Sequence, residues 1–577
     1  MAQRKRGALK VPTIEISYQD LADLLGIDLP RDVEQLNEVL SYVKGEVKLF
    51  RDDELHIELQ DTNRPDLWCV EGLARSLKGF LGLEKGLKRY SIEGDSGVRV
   101  AVDSRLKDIR PYIACAVVKG INVTDMMIKQ IMRLQDKMDQ TYGRKRRRTS
   151  IGLYDFDLIT PPLSYRVAKP REVKFVPLEF DEELTLEEIL KKHPKGMEYG
   201  HLVKQYLIWP IFMDSANKVL SFPPIINSND LGRITEKTRN ILVEVTGTSI
   251  ESVLNTLMNV TLALADRGGH IYSAEIHYPY QKLKDLVTPI LKVDEFTLKL
   301  EYIRKILGLN LQLAEIREML LRSRYGILEI NDSEVKVEVP CYRIDVMHPV
   351  DIVEDIAIAY DYNRIEPRWP QLATVGSKAS TYLLRESIRE VMVGLGFQEV
   401  LSFTLTSPDK LFNKMNLKPE MDVLVKIENP RIEYFTCLRS WLLPSLIEFL
   451  SKNAHVEYPQ KVFEVGYCIV KDGDSDNMTL DIEKAACVTA HSNASFTEIK
   501  ATLEALLRSI SLDFKVEETE HESFINGRVG KVIVGREELG IIGEVHPKVL
   551  QNWGLENPAS AFEINLDKIR SLLEAIR

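Results

Sequence analysis

Two stretches near the middle of the chain, VLSFPPIINS (residues 219–228) and VEVTGT (residues 243–248), decide how that part of it folds. In the first, two adjacent prolines follow a strand-like run. Because proline fixes φ and restricts the residue before it, this pair predicts an extended, rigid turn. In the second, alternation places Glu244 and Thr246 on one face of a strand, and that face is polar. A polar strand face inside an apolar region is either a solvated edge or the lining of a pocket.

Further strand-like runs surround these two stretches and predict a mixed α/β region. They occur at residues 113–118, 202–213 and 271–278, and a helix is predicted for residues 249–265. Short apolar runs bounded by turn residues are typical of strands in a sheet with a buried face. We therefore predict one domain for residues 101–285.

The sequence before this region predicts a small α+β module in residues 1–100. An alternating run at residues 13–17 indicates a strand, and a hairpin is expected over residues 47–59. The motif NRPD (residues 63–66) precedes a stretch whose apolar residues recur with helical spacing, so it marks a helix start.

A compact α+β segment, residues 290–367, contains the sharpest acidic cluster, PCYRIDVMHPVDIVED (residues 340–355). If a helix begins near Pro349, then Asp351, Glu354 and Asp355 share one face, and Asp345 lies in an extended segment that could fold back onto them. Hard oxygen ligands in this arrangement suit Mg²⁺. The alternative is that acidic residues simply favour the first turn of a helix through its dipole.

The last segment, residues 375–577, follows a proline-rich linker and alternates helices with strands. An ATP-dependent ligase built on an antiparallel sheet needs a strand-borne arginine for the α-phosphate and a glycine-rich segment ending in arginine. The run FEVG (residues 463–466) has Glu464 where that arginine is expected, and no such glycine-rich segment occurs. The domain is therefore predicted to be unable to bind ATP.

Composition limits the class of protein. The chain has 577 residues, which suggests about four domains. No apolar stretch approaches the roughly 18 residues of a membrane span. The six cysteines are scattered without a CxxC pair, which favours a reducing cytoplasm over a disulfide framework or zinc ribbon.

Charge bears on the question of nucleic-acid binding. Lysine and arginine number 76 against 86 aspartates and glutamates, a net charge of −10, which argues against a general nucleic-acid coat but not against a local patch. One such patch is a run of five cations: Arg144, Lys145, Arg146, Arg147 and Arg148. The run is either an RNA phosphate contact or a solvated loop.

Several motifs together resemble those of phenylalanyl-tRNA synthetase beta subunits of the archaeal and eukaryotic type, and the resemblance covers essentially the whole chain. The motifs are DTNRPDL (residues 61–67), EGLAR (71–75), HPKG (193–196), SFPPIINS (221–228), VTGT (245–248), YRID (342–345), VDIVED (350–355) and IGEVHP (542–547).

This resemblance implies a multidomain α+β protein with an N-terminal α+β module, a tRNA-editing domain, a small magnesium-binding domain and an inactive class II synthetase-like C-terminal domain. It implies a tetramer of two alpha and two beta subunits, in which the alpha subunit binds ATP and phenylalanine and the complex binds the phenylalanine tRNA. The editing domain would hydrolyse tyrosine wrongly attached to that tRNA. Its pocket is expected to contain Phe212, Ser221, Asn227, Glu244 and Thr246, and Mg²⁺ is expected at Asp345, Asp351, Glu354 and Asp355.

The chain departs from the family pattern at several points. Where relatives show Ile-Gly-x-His-Asp, this chain has Tyr154 in place of the histidine, so no histidine role carries over. Glu244 stands where some archaeal relatives have aspartate. Two rival functions are a free-standing editing hydrolase, which would need neither a magnesium cluster nor a full C-terminal domain, and a non-catalytic RNA-binding scaffold.

Overall fold

The structure, a computed structural model, describes residues 13–280 and 283–576. The chain divides into two compact units, Met1–Arg368 and Trp369–Arg577. The first unit contains three modules in chain order. Within the described ranges, no helix is both long and apolar enough to cross a membrane.

The first module is a small sheet covered by helices. Its elements are β1 (Thr13–Ser17), α1 (Tyr18–Leu25), α2 (Val33–Ser41), β2 (Gly45–Arg51), β3 (Glu54–Leu59) and α3 (Val70–Phe80), and the strand order is β1-β3-β2. The Ser17 hydroxyl accepts a hydrogen bond from the Asp20 N–H at 3.0 Å, which caps α1. Arg267 of the second module donates to Asp20 and Glu71, so charged side chains join the two modules.

The second module is built on one large sheet. Its elements are β4 (Ile92–Val102), β5 (Tyr112–Lys119), α4 (Asp125–Gln140), β6 (Thr149–Asp155), β7 (Leu163–Ala168), β8 (Lys174–Phe175), β9 (Leu184–Thr185), α5 (Leu186–Lys192), α6 (Pro194–Tyr199), β10 (Trp209–Met213), β11 (Val219–Phe222), β12 (Ile226–Asn227), β13 (Ile241–Gly247), α7 (Ile250–Asp266), β14 (His270–Tyr280) and β15 (Leu283–Thr288). The strands follow the order β12-β11-β10-β7-β4-β14-β5-β13-β6, with β15 beside β14. Strand β4 crosses the boundary predicted at residue 100, because it pairs with β14 inside this sheet.

The two faces of this sheet have different neighbours. Ala114, Leu153 and Val243 point to one face and belong to a core shared with helices α4 and α7. On the other face, Tyr154, Phe212 and Leu242 belong to a second core. Residue alternation therefore turns Glu244 towards the second core, where it is buried rather than on a solvated edge.

The third module is a sheet with helices on it. It comprises β16 (Asp294–Lys299), α8 (Leu300–Leu307), α9 (Leu313–Arg322), β17 (Gly326–Ile330), β18 (Glu334–Val339) and α10 (Pro349–Tyr360), and the strand order is β16-β18-β17. Helix α10 begins at Pro349, as the sequence predicts, and His348 caps it by accepting a hydrogen bond from the Val350 N–H. Ile352 and Ile356 anchor the helix in the core of this module.

The second unit is an antiparallel sheet flanked by helices. Its elements are α11 (Ser380–Gly394), β19 (Gln398–Glu399), β20 (Leu405–Thr406), β21 (Cys437–Leu438), α12 (Leu443–Lys452), β22 (Gln460–Lys471), β23 (Thr479–Ala490), α13 (Phe496–Ser509), β24 (Lys515–Glu518), β25 (Phe524–Val534), β26 (Glu537–Val545), α14 (Pro547–Trp553), β27 (Ala559–Asn565) and α15 (Leu566–Ile576). The main sheet has the order β19-β22-β23-β27-β26-β25-β24, in which β19 is parallel to β22 and the other pairs are antiparallel.

Candidate functional site

A buried carboxylate lies at the centre of the candidate site. Glu244 on β13 stands opposite Cys115 on β5 and Gly152 on β6, and it is 2 % exposed. One carboxylate oxygen, Oε2, accepts a hydrogen bond from the Tyr154 hydroxyl at 2.8 Å. Among the described residues, the other oxygen, Oε1, has no hydrogen-bond partner. Burial raises the pKa of Glu244 to about 7, although the Tyr154 hydrogen bond opposes the shift.

Gly152 makes room for this carboxylate. A Cβ atom at residue 152 would collide with the Tyr154 hydroxyl and with Glu244 Oε2. A side chain at that position would therefore have to separate the two groups. The glycine is needed because its missing side chain leaves space for the Tyr154–Glu244 pair.

The site forms where the two edges of the sheet approach each other. The Asn227 side-chain amide on β12 donates to the Leu153 carbonyl on β6 at 3.4 Å, and the Asp155 N–H donates to the Leu231 carbonyl at 3.1 Å. These bonds bring together strands that lie at opposite ends of the strand order. A cavity of about 420 Å³ lies at this seam.

Three of the five predicted pocket residues line this cavity: Ser221, Asn227 and Glu244. The Ser221 hydroxyl is buried and, within the described part of the chain, makes no hydrogen bond. Apolar side chains, including Ile131 and Ile225, cover much of the remaining wall. A mostly apolar cavity with a few polar groups is typical of a small-molecule site.

The other two predicted residues lie behind the wall. Phe212 is fully buried, and its ring meets the edge of the Tyr154 ring with centroids 6.3 Å apart. Thr246 is also fully buried, and its hydroxyl accepts a hydrogen bond from Arg110 Nε at 2.9 Å. The prediction that these two side chains line the pocket therefore differs from the structure. Phe212 supports the Tyr154 ring, and Thr246 belongs to a hydrogen-bonded cluster centred on Arg110.

The basic run is divided between the interior and the surface. Arg146 is 8 % exposed, donates to the Ile225 carbonyl at 2.8 Å and lies 2.9 Å from the Asp139 carboxylate. This is a correction to the predicted RNA contact, since the Arg146 charge is used inside the protein to hold the loop that follows β11. Arg144, Lys145 and Arg147 are exposed, and Arg148 is half-buried over the Tyr142 ring.

The double proline forms a tight turn instead of the predicted extended one. The Ile225 N–H donates to the Phe222 carbonyl at 2.7 Å, and the Pro223–Pro224 bond is cis. This turn connects β11 to β12 and so determines where Asn227 lies in the pocket.

The acidic cluster of the third module has a different character. Arg343 donates to Asp345 at 2.8 Å and to Asp355 at 2.8 Å, and all three side chains are at most 10 % exposed. Burial favours a higher pKa for Asp345, but the charges of Arg343 and Arg64 outweigh it and lower that pKa. These carboxylates are therefore already neutralised by arginine.

The remaining two acidic residues have partners of their own. Asp351 accepts hydrogen bonds from the N–H groups of Met347 and His348, both at 2.8 Å, and Glu354 pairs with Lys44 of the first module at 2.6 Å. In the described ranges, no three of the four predicted ligands bring their oxygens within 4.8 Å of one another. The four carboxylates do not fit a shared magnesium ion, because Asp345 and Asp355 are turned towards Arg343 and the other two towards backbone N–H groups and Lys44.

The second unit places Glu464 in an ion pair. Its carboxylate accepts a hydrogen bond from Arg439 Nη1 at 2.7 Å, and both side chains are at most 3 % exposed. Glu464 therefore occupies the interior of strand β22 as part of a neutralised pair.

Comparisons with known proteins agree with this architecture. Residues 296–362 match the family model of the tRNA synthetase B5 domain, and residues 365–566 match that of the phenylalanyl tRNA synthetase beta chain CLM domain. Both models describe tRNA synthetase domains, which gives the class of protein.

Similar proteins give the particular family. The phenylalanine–tRNA ligase beta subunit of Thermococcus kodakarensis is 44% identical over 574 residues, with 96% of this chain and 98% of the relative covered. That of Archaeoglobus fulgidus is 39% identical over 558 residues, with 96% and 98% covered. An N-terminal fragment of the Pyrococcus horikoshii beta subunit matches with a TM-score of 0.58 and 43% identity, over 61% of this chain and all of the fragment. The chain belongs to the family of phenylalanine–tRNA ligase beta subunits.

Membership confirms the predicted resemblance and the predicted role in attaching phenylalanine to tRNA. Aminoacyl-tRNA ligases as a class use ATP and Mg²⁺ for this reaction.

Proposed function

We propose that the second module is an editing site that removes tyrosine from the phenylalanine tRNA. The observation that carries the proposal is the buried Glu244 carboxylate, which has one oxygen without a partner among the described residues at the wall of a cavity of about 420 Å³. Phenylalanine and tyrosine differ by one hydroxyl, and an apolar synthetic pocket rejects an added hydroxyl poorly. A second site that recognises the hydroxyl solves this problem.

Glu244 provides the recognition. A tyrosyl group in the cavity donates its hydroxyl to Glu244 Oε1, whereas a phenylalanyl group leaves that buried oxygen unpaired. An unsatisfied buried acceptor costs about 1–3 kcal/mol, and more when it is charged. The site therefore holds the wrong product and releases the correct one.

The proposed reaction is hydrolysis of the ester by water. The water oxygen attacks the carbonyl carbon, the bond from that carbon to the ribose oxygen breaks, and free tyrosine and the tRNA hydroxyl result. Ser221 is the cavity-lining hydroxyl available to orient the water or the carbonyl. The described lining residues include no histidine, so no serine–histidine pair activates a protein nucleophile there.

The test is deacylation of tyrosyl-tRNA and phenylalanyl-tRNA by the complete complex carrying Glu244→Gln. We expect the preference for the tyrosyl ester to fall by roughly tenfold or more, since a buried hydrogen bond to a charged acceptor is lost. The rate of phenylalanylation is the internal control and should be unchanged. Unchanged selectivity of deacylation in the variant would contradict the proposal.

For synthesis, we propose that the chain acts with an alpha subunit in a tetramer of two alpha and two beta chains, and that the alpha subunit binds ATP. The paired Glu464 in the second unit supports an inactive C-terminal domain, because it places a neutralised carboxylate where an α-phosphate would need a free arginine. Leu401 and Phe403, 83 % and 77 % exposed, supply an apolar surface on that unit for a partner to cover. The chain alone should show no phenylalanylation, and co-purified alpha subunit should restore it.

The exposed cations Arg144, Lys145 and Arg147 are the part of the basic run that we propose contacts the tRNA backbone. The double variant Arg144→Ala, Arg147→Ala should bind the tRNA more weakly. The slope of the logarithm of the binding constant against the logarithm of the salt concentration should become shallower by about 1–2. Arg51→Ala, which removes an exposed charge from the first module, is the matched control. If the salt dependence of binding equals that of the control, these residues form a solvated loop and do not contact the tRNA.

We also propose a cytoplasmic location. All six cysteines lie in the described ranges and are free thiols, five of them buried. A reducing compartment keeps such thiols unpaired.

A further inference from the structure

Tyr154 is the direct neighbour of the recognition carboxylate. It is fully buried, and its phenol donates to Glu244 Oε2 at 2.8 Å. The ring packs against Phe212, and Asn227 Oδ1 is a second, more distant acceptor for the hydroxyl, at 3.5 Å. The phenol therefore occupies Oε2, whereas Oε1 has no hydrogen-bond partner among the described residues, and Glu244 lines the cavity.

We propose that Tyr154 is a positioning residue that sets the selectivity of the editing site, by holding Glu244 as an acceptor with one free oxygen. This inference rests on the editing function proposed above. It identifies a specificity determinant directly beside the recognition carboxylate.

The physical basis is the protonation state of Glu244. An ionised carboxylate can only accept, so it penalises a phenylalanyl group that brings no donor. A protonated carboxyl carries its own hydrogen and imposes a smaller penalty. Burial favours the protonated form, whereas the Tyr154 hydrogen bond favours the ionised form. Burial also raises the pKa of Tyr154 well above its ordinary value, so the phenol remains a donor throughout the neutral range.

Other titratable groups face Glu244 and must be considered in any pH experiment. They are Tyr154 from β6, Cys115 from β5, Tyr165 from β7, Asp139 from α4 and Arg110 from the segment before β5. Burial raises the pKa of Asp139 to about 7, so it titrates in the same range as Glu244. The Glu244→Gln background removes the contribution of Glu244 to the pH dependence and leaves that of Asp139. Comparing the two backgrounds therefore separates the two contributions.

The experiment compares the complete complex as wild type, Tyr154→Phe, Glu244→Gln and the double variant. It measures kcat/KM for deacylation of tyrosyl-tRNA and of phenylalanyl-tRNA from pH 6 to pH 9. Tyr154→Phe keeps the ring and removes only the hydroxyl. We expect its selectivity at neutral pH to fall roughly tenfold and to recover as the pH rises, because Glu244 then ionises without help from the phenol. On the Glu244→Gln background the same change should alter selectivity by less than about twofold.

The outcomes are distinguishable. If wild type does not deacylate tyrosyl-tRNA, both the editing function and the role of Tyr154 are overturned. If Glu244→Gln loses selectivity while Tyr154→Phe equals wild type at every pH, only the role of Tyr154 is overturned. An equal loss on both backgrounds would also overturn it, because the phenol would then act independently of Glu244. Phenylalanylation and the unfolding midpoint, measured on each variant, show that the complex is intact.

Discussion

The two acidic regions that the sequence singles out differ in what their carboxylates have left to bind. In the second module, Glu244 is buried beside a phenol, and one of its oxygens has no partner in the described chain. In the third module, the Asp345 and Asp355 side chains are at most 10 % exposed, but they share Arg343. The first carboxylate can still accept a ligand hydrogen, whereas the second pair is already neutralised.

This contrast shows that a buried carboxylate remains able to bind a ligand when no group of the protein already neutralises it. The spacing of acidic residues along the sequence predicts a ligand-binding site in the third module, where three of them recur at helical intervals. The folded structure instead points to the second module, where no cation of the described residues forms an ion pair with the Glu244 carboxylate. Because a buried charge requires compensation, an incompletely compensated one is the better indicator of a ligand.

The largest expected effect comes from breaking the neutralised cluster. Arg343→Ala should lower the free energy of unfolding by about 3–5 kcal/mol, because it removes the shared cation from Asp355 and from Asp345, which keeps only Arg64 at 3.7 Å. Urea unfolding of the purified chain measures this.

Lys44→Ala is the matched control, since its partner Glu354 is half exposed, and it should cost no more than about 1 kcal/mol. If the two variants lose the same free energy of unfolding, the distinction between the buried and the surface ion pairs of the cluster is wrong.

The next effect has the opposite sign and concerns the proposed editing pocket. Glu244→Gln should raise the free energy of unfolding by about 1–3 kcal/mol above pH 7, since it removes the cost of ionising a buried carboxyl. The pKa of Glu244 is about 7 in the folded chain against an ordinary value of 4.5. The unfolded chain therefore loses this proton first as the pH rises, and wild type loses stability between these two values.

Below the ordinary pKa the two proteins should be equally stable, since Glu244 is protonated in both the folded and the unfolded chain. Unfolding curves from pH 4 to pH 8 test this, and a difference that does not vary with pH would show that the gain does not come from ionisation. Asp139 is present in both proteins, so only its charge coupling to Glu244 differs between them.

The smallest expected effect tests whether the acidic cluster binds a metal. Millimolar Mg²⁺, or its removal with a chelator, should change the free energy of unfolding of the isolated chain by less than about 1 kcal/mol. A larger stabilisation that disappears in Asp351→Asn with Glu354→Gln would show that the carboxylates rearrange to hold an ion.

Much of the site could be predicted from the chain itself. The alternation of residues 243–248 correctly placed Glu244 on a distinctive strand face, and the motifs gave Ser221 and Asn227 as its companions in the pocket. Strand alternation also predicts that Tyr154 shares a face with Gly152, since it lies two residues further along the same strand.

Other parts of the site could not be predicted. Thr246 shares a strand face with Glu244, yet Arg110 binds its hydroxyl behind the wall. Arg146 belongs to a run of five cations, but it turns inward to the Ile225 carbonyl and to Asp139. Nothing in the local pattern distinguishes a charge in solvent from one that meets a buried acceptor contributed by a distant segment.

The sequence by itself determined the family and the alternation that puts Glu244 and Thr246 on one strand face, because motifs and side-chain periodicity are local properties of the chain. Only the tertiary structure decided which charges are compensated. The Asn227–Leu153 contact joins strands 74 residues apart and creates the cavity, and the Lys44–Glu354 pair spans 310 residues. Electrostatic and hydrogen-bonding partners are selected by distance in space, so a carboxylate keeps or loses its binding capacity only when the chain has folded around it.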